Sequence, residues 1–225
     1  MAFKTCDLTL FGPWLASAGL RAYGAQRYFH RMRGVEQIPW LYDAWMTAVE
    51  LFGLNAWRRW LVKGARGRTL EVGAGTGRNL PLYEKGTRLI GLEPAWDMVQ
   101  RARARAPEVP LVCASAEALP FKPGAFDTVV SSLVFCSVPN PAVGLAEVKR
   151  VLAKDGQLRM LEHVRSTSRV SGWLEDTLQP LWTLAAGGCH PNRETEKAVE
   201  AAGFVIEDEG RRSKDTMRRF SARVR

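Results

Sequence analysis

The sequence predicts an α/β fold, a doubly wound sheet of seven strands, mostly parallel with an antiparallel last strand, behind a helical N-terminal lid. Two observations carry this. From Thr69 onward, short apolar β-type runs alternate with helical patterns, the mark of a parallel sheet. The first of those runs breaks into glycines, Leu70-Glu71-Val72-Gly73-Ala74-Gly75-Thr76-Gly77, and Arg78 onward has helix character. A glycine turn between strand and helix exposes backbone N–H groups with no Cβ in the way, and a helix N-terminus adds partial positive charge.

The strands are expected at 68–73, 88–93, 110–113, 126–132, 157–162, 203–208 and 216–224, with helices at 78–83, 95–105, 141–153 and 192–202. Ahead of them, Trp40, Leu41, Ala44, Trp45 and Ala48 have helical spacing and are expected mostly to pack in the core against the sheet, with some rings walling an apolar substrate pocket; Gly53 interrupts, and Asn55 can cap a second helix over 56–62. The domain division expected is a helical, substrate-facing segment over 1–62 and a core over 63–225. Residues 164–190 are too long for a simple connection, and Trp173, Leu174, Leu178, Leu181, Trp182 and Leu184 mark a helical insertion. In the last strand Phe220, Ala222 and Val224 alternate with Arg219, Ser221 and Arg223, as in an edge strand guarded by arginines.

At 225 residues the chain suits one ordinary domain, and 46% hydrophobic with 24% charged residues is a globular composition. Cys6, Cys113, Cys136 and Cys189 are far apart and form no C-x-x-C pair, which argues against zinc and suits a reducing cytoplasm. The net charge of +9 is uneven. Residues 1–70 hold ten basic against four acidic side chains, residues 71–210 hold 15 against 18, and residues 211–225 hold seven against one. Basic ends can meet anionic lipid or only water, and no nucleic-acid module is present. No run is long enough to span a bilayer. Residues 1–36 form a broken, aromatic and basic amphipathic segment with two readings, a lid over the core or a helix in the membrane interface, which would place the protein at the inner membrane face.

The ligand class follows from spacing. A dinucleotide fingerprint requires G-x-G-x-x-G, and a P-loop requires Gly-Lys-Ser/Thr. Here the pattern is E-x-G-x-G-x-G followed by Arg78-Asn79. The second strand ends in Glu93, 20 residues after Gly73, where an acid can accept both hydroxyls of a ribose.

These residues resemble motif I and the following acid of class I S-adenosylmethionine (SAM)-dependent methyltransferases, whose core is Rossmann-like. Further along, Val112-Cys113-Ala114-Ser115-Ala116-Glu117, Val129-Val130-Ser131-Ser132-Leu133-Val134-Phe135-Cys136, Glu147-Val148-Lys149-Arg150 and Leu161-Glu162-His163 resemble the thiol methyltransferase-like family. Phospholipid N-methyltransferases and quinone C-methyltransferases share the pattern, including Tyr42-Asp43 ahead of motif I. Ser115 replaces an Asp common in the class, and this substitution fits the thiol group. The resemblance implies SAM as cofactor, S-adenosylhomocysteine as product, and a lining from Glu71, Gly73, Ala74, Gly75, Gly77, Asn79, Glu93, Pro94, Met98, Ser115, Ala116, Glu117, Ser132 and Leu133. Glu93 would hold the ribose, and the Ala116 N–H would serve the adenine.

A sulfonium is already an excellent leaving group, so the protein supplies alignment, an apolar channel and at most a base. No metal is required. The candidate bases are His163, His190, Tyr42 and Asp43, the histidines because they titrate near neutrality. The function expected is methyl transfer to a small lipophilic nucleophile such as a thiol. The rivals are phospholipid or quinone methylation at a membrane surface and a SAM-binding module without turnover.

Overall fold

The computed structural model describes residue 34 and residues 38–225 except 167 and 187. The expected amphipathic segment over 1–36, apart from Gly34, lies outside them.

Seven strands pair into one sheet of order β3-β2-β1-β4-β5-β7-β6. They are β1 (Arg68–Val72), β2 (Arg88–Leu92), β3 (Leu111–Val112), β4 (Phe126–Ser132), β5 (Leu152–His163), β6 (Phe204–Lys214) and β7 (Met217–Val224). The first five run parallel, while β7 lies antiparallel to both β5 and β6. Parallel strands buried on both faces read as continuous apolar runs, which is why the middle of the chain was legible.

Successive side chains take opposite faces. Leu70, Val72, Val129 and Met160 share a core with Leu145 and Val148 of α4 (Pro141–Val151) and Val199 of α6 (Thr195–Ala201). On the other face Val130 and Leu161 meet Leu54 and Leu61, and Leu89 meets Val99 and Ala102 of α3 (Trp96–Arg105). The remaining helices among the described residues are α1 (Pro39–Val49), α2 (Asn55–Lys63) and α5 (Arg169–Ala186). A π-helical turn over Glu50–Leu54 joins α1 to α2 and absorbs Gly53 at φ +104°. Among the described residues no helix is long and apolar enough to cross a membrane.

Three expectations are corrected. The helix after the glycines is only a 3-10 turn, Leu80–Leu82. The Leu80 N–H takes the Gly77 carbonyl at 3.1 Å, and Pro81 has no N–H with which to continue toward α-helix. The buried face of α1 carries Asp43 and Met46, while Trp40 and Trp45 are 67% and 55% exposed. A polar network around Asp43, described below, sets that rotation. Finally, β7 is an interior strand and β6 is the edge. The β7 arginines have partners: Arg219 stacks over Trp57 and Trp60, and Arg223 pairs with Glu207 at 2.7 Å.

Candidate active site

The carboxyl ends of β1, β2, β4 and β5 open into a cavity of about 560 Å³, where the strand order reverses. Its floor is the glycine turn. Gly73, Gly75 and Gly77 all have positive φ, at +66°, +55° and +80°. Their roles differ. A Cβ on Gly73 would meet Val134 at 2.4 Å and one on Gly77 would meet the Ala102 backbone at 2.9 Å, so these two are small for packing. A Cβ on Gly75 would point into open space, and that space is the cavity.

Glu93 leaves the end of β2 and folds back under this turn. Its carboxylate accepts from the Gly75 N–H at 3.0 Å and from the Ala95 N–H at 2.9 Å. Burial, only partly offset by these two bonds, pushes its pKa up to about 7. Each oxygen of an ionised carboxylate has acceptor capacity beyond these bonds, which suits a vicinal diol.

Eleven of the anticipated residues meet on the cavity wall: Tyr42, Gly73, Gly75, Glu93, Pro94, Met98, Ser115, Ala116, Ser132, Leu133 and His163. Leu133 sits there at φ +59°, a strained conformation for a branched side chain, pinned by its N–H to the Leu161 carbonyl at 2.7 Å.

The others stand behind the wall. Glu71 is fully buried in β1 and accepts from the Asn79 amide at 3.0 Å; burial raises its pKa to about 7. Asn79 in turn accepts from Arg58 at 2.7 Å. The Ala74 N–H serves the Leu92 carbonyl. Glu117 takes the Asn140 N–H at 2.9 Å. His190 closes a local turn, its Nδ1 at 2.7 Å from the Gly188 carbonyl.

Asp43, also a candidate base, sits in a cluster of donors. It accepts from Thr76 at 2.7 Å, Arg105 at 2.8 Å, Arg101 at 3.1 Å and Arg78 at 3.2 Å. Burial raises its pKa, but the bonds from Thr76, Arg105 and Arg101 together outweigh burial and bring it down to about 2. A carboxylate so held is a clasp between α1 and the glycine turn, not a proton acceptor near neutrality. Glu50 extends the clasp by pairing with Arg78 and with buried Arg58.

Several wall and support residues carried no sequence signal for this place. Glu162 is fully buried and accepts from Ser131 Oγ at 2.7 Å and from the Val134 and Phe135 N–H groups at 3.2 and 3.1 Å, shaping the loop after β4. Trp182 of α5, Cys189 and the β6–β7 turn at Lys214–Met217 also reach the cavity. The Glu162 position, an acid at a strand end, was visible as part of Leu-Glu-His; the rest arrive through long-range packing.

The wall therefore carries two kinds of group. Gly73, Gly75, Glu93 and Ser115 supply polar backbone and an acid suited to a nucleoside. Trp45, Met46, Trp57, Leu133, Trp182 and Met217 make much of the remaining lining apolar, and His163 is part of it.

Residues 70–160 match the family model described as "Methyltransferase domain". The human thiol S-methyltransferase TMT1A is 34% identical over 143 residues, which cover 60% of this chain and 59% of that protein. The phosphatidylethanolamine N-methyltransferase of Cereibacter sphaeroides is 35% identical over 108 residues, 45% of this chain and 53% of that one. The chain spans about 60% of the length of the thiol S-methyltransferases it matches. A solved SAM-dependent methyltransferase from Thermotoga maritima superposes with a TM-score of 0.66 at 22% identity, covering 84% of this chain and 97% of that one. That likeness is one of fold.

Proposed function

We propose that this chain, with its methyltransferase domain over 70–160, transfers the methyl group of SAM to a small lipophilic nucleophile, a thiol in the first place. One observation carries the reading: Glu93, bonded to the Gly75 N–H, lines the same cavity as His163 and a set of apolar side chains. The residues fit the cofactor. Open space above Gly75 admits a ligand against the backbone, and a buried carboxylate beside it awaits hydroxyl donors. Gly73 and Gly75 would hold the methionyl part, Glu93 the ribose, and Ser115 and Ala116 the adenine. When bound, SAM supplies an electrophilic methyl group on a sulfonium.

The chain contributes alignment and water exclusion. The apolar chamber strips water from an entering thiol, and His163, at the end of β5, is the group placed to take its proton. Tyr42 lies on the same wall and offers a hydroxyl to orient the acceptor.

A second reading is supported by the surface. Trp45 and Trp182 line the cavity and are also 55% and 42% exposed, and α5 displays Trp173, Leu178 and Leu181 to solvent. Aromatic and leucine side chains around an opening suit a membrane interface and an acceptor drawn from lipid.

The test is turnover of SAM to S-adenosylhomocysteine with an alkyl thiol, phosphatidylethanolamine vesicles, a demethylquinone, or no acceptor. Product with the thiol alone supports the first reading. Product with the lipid or quinone, together with sedimentation on anionic vesicles, moves the reaction to the membrane surface. SAM binding without product on any acceptor would overturn the thiol reading.

A further inference from the structure

Two cysteines line the same cavity. Cys136 follows β4 and Cys189 follows α5, 53 residues apart in sequence, yet they pack together with Ala186. Neither is in a disulfide, and both line the cavity. A backbone bond pins the contact: the His190 N–H donates to the Cys136 carbonyl at 2.8 Å, one residue from Cys189. The two side chains are thereby held as packing neighbours.

The surroundings favour one thiol as the attacking group. Cys189 Sγ lies 3.9 Å from His163 Nδ1. A hydrogen bond from Cys136 does most to lower the Cys189 pKa below the ordinary thiol value; burial opposes this, and His163 and Trp182 add to the lowering. Two other charged groups face the pair. The Arg193 guanidinium interacts with both cysteines and with Glu162, and is fixed by the Phe135 and Val138 carbonyls at 2.5 and 2.6 Å. A thiolate beside a histidine and a guanidinium, reached from a cavity, is the setting of reactive rather than structural cysteines.

We propose that Cys189 and Cys136 form a dithiol centre that exchanges with small organic disulfides admitted to the cavity. The Cys189 thiolate attacks one sulfur of R–S–S–R. The R–S–S–R bond breaks, a Cys189–S–S–R bond forms, and RS− leaves with the electron pair. Cys136 loses its proton to water and attacks the Cys189 sulfur. A Cys136–Cys189 disulfide forms, and the second RS− leaves. The organic disulfide is reduced to two thiols, and the dithiol is oxidised. This inference stands on the cysteine geometry and does not rest on the identity of the methyl acceptor.

The test needs no cofactor. The fully reduced chain is mixed with bis(2-hydroxyethyl) disulfide, quenched with iodoacetamide, and mapped by mass spectrometry beside a urea-unfolded sample. The expected result is selective loss of Cys136 and Cys189 from the alkylatable pool, a peptide pair joined through them, and two mercaptoethanol molecules released per chain. Cys136→Ser should stop at one mercaptoethanol on Cys189, and Cys189→Ser should react on the order of tenfold more slowly. A native pattern matching the unfolded one overturns the proposal without reliance on any variant. So does first modification of Cys6 or Cys113 with the pair intact, or a wild-type chain that stops at a stable mixed disulfide.

Discussion

The Thr76 hydroxyl donates to Asp43 at 2.7 Å, tying the glycine turn to helix α1. Three arginines, two of them on α3, complete the clasp around the same carboxylate. The helix that walls the apolar chamber is thereby joined to the loop that would carry the cofactor. Removing one member of a buried charge cluster strands the others. Asp43→Ala is expected to lower stability by about 3 kcal/mol in urea unfolding. A loss under about 1 kcal/mol would show that the clasp contributes little.

Asp43 also sets an acid limit. Its folded pKa, about 2, lies below its ordinary value of 3.8. Its contribution is therefore present above pH 3.8 and disappears as pH falls toward 2. Thermal melts across that window should be flatter for Asp43→Asn than for wild type. Parallel curves would remove Asp43 as a source of acid sensitivity.

Glu93 has the opposite sign. Its folded pKa is raised to about 7, so its neutral form predominates below that value. The contribution of Glu93 to stability is fully present below about 4.5 and is lost as pH rises through about 7. Diol recognition calls for the ionised form. SAM affinity should rise between about pH 6 and pH 8 by up to about tenfold in titration calorimetry, while Glu93→Gln stays level. Glu93→Ala should weaken binding by about 1–3 kcal/mol. Unchanged affinity in that variant would take Glu93 out of the site.

Two glycine substitutions separate packing from ligand space. Gly73→Ala forces a Cβ onto Val134 and should unfold the chain at markedly lower urea. Gly75→Ala meets nothing and should cost only about 1–2 kcal/mol of left-handed backbone strain. Its larger effect should be on SAM affinity. Equal stability losses with equal affinity losses would erase the distinction.

His163→Gln is expected to reduce kcat with a thiol acceptor by about a hundredfold and to flatten the acid limb of the pH–rate profile. His190→Gln should change either by less, because that ring is turned to the Gly188 carbonyl. A His163→Gln enzyme with an unaltered pH profile would leave the acceptor's own ionisation as the sole requirement.

What the sequence determined by itself is the frame and the glycine turn with its acid. Strands buried on both faces announce themselves as apolar runs, and the glycines at 73, 75 and 77 and the acid at 93 are read by spacing, because short-range geometry dictates both. Local patterning failed where a distant partner set the outcome. Apolar periodicity assigned Trp40 and Trp45 of α1 to the core, but four bonds to Asp43 turned the helix and exposed them. The β7 arginines looked like guards of an edge, but pairing with β6 made β7 an interior strand. Only the tertiary structure brought Cys189, Trp182 and Lys214–Met217 to the cavity and paired Cys189 with Cys136. Those contacts join segments 50 or more residues apart from the glycine turn, and no periodicity along a chain encodes which distant loops will meet.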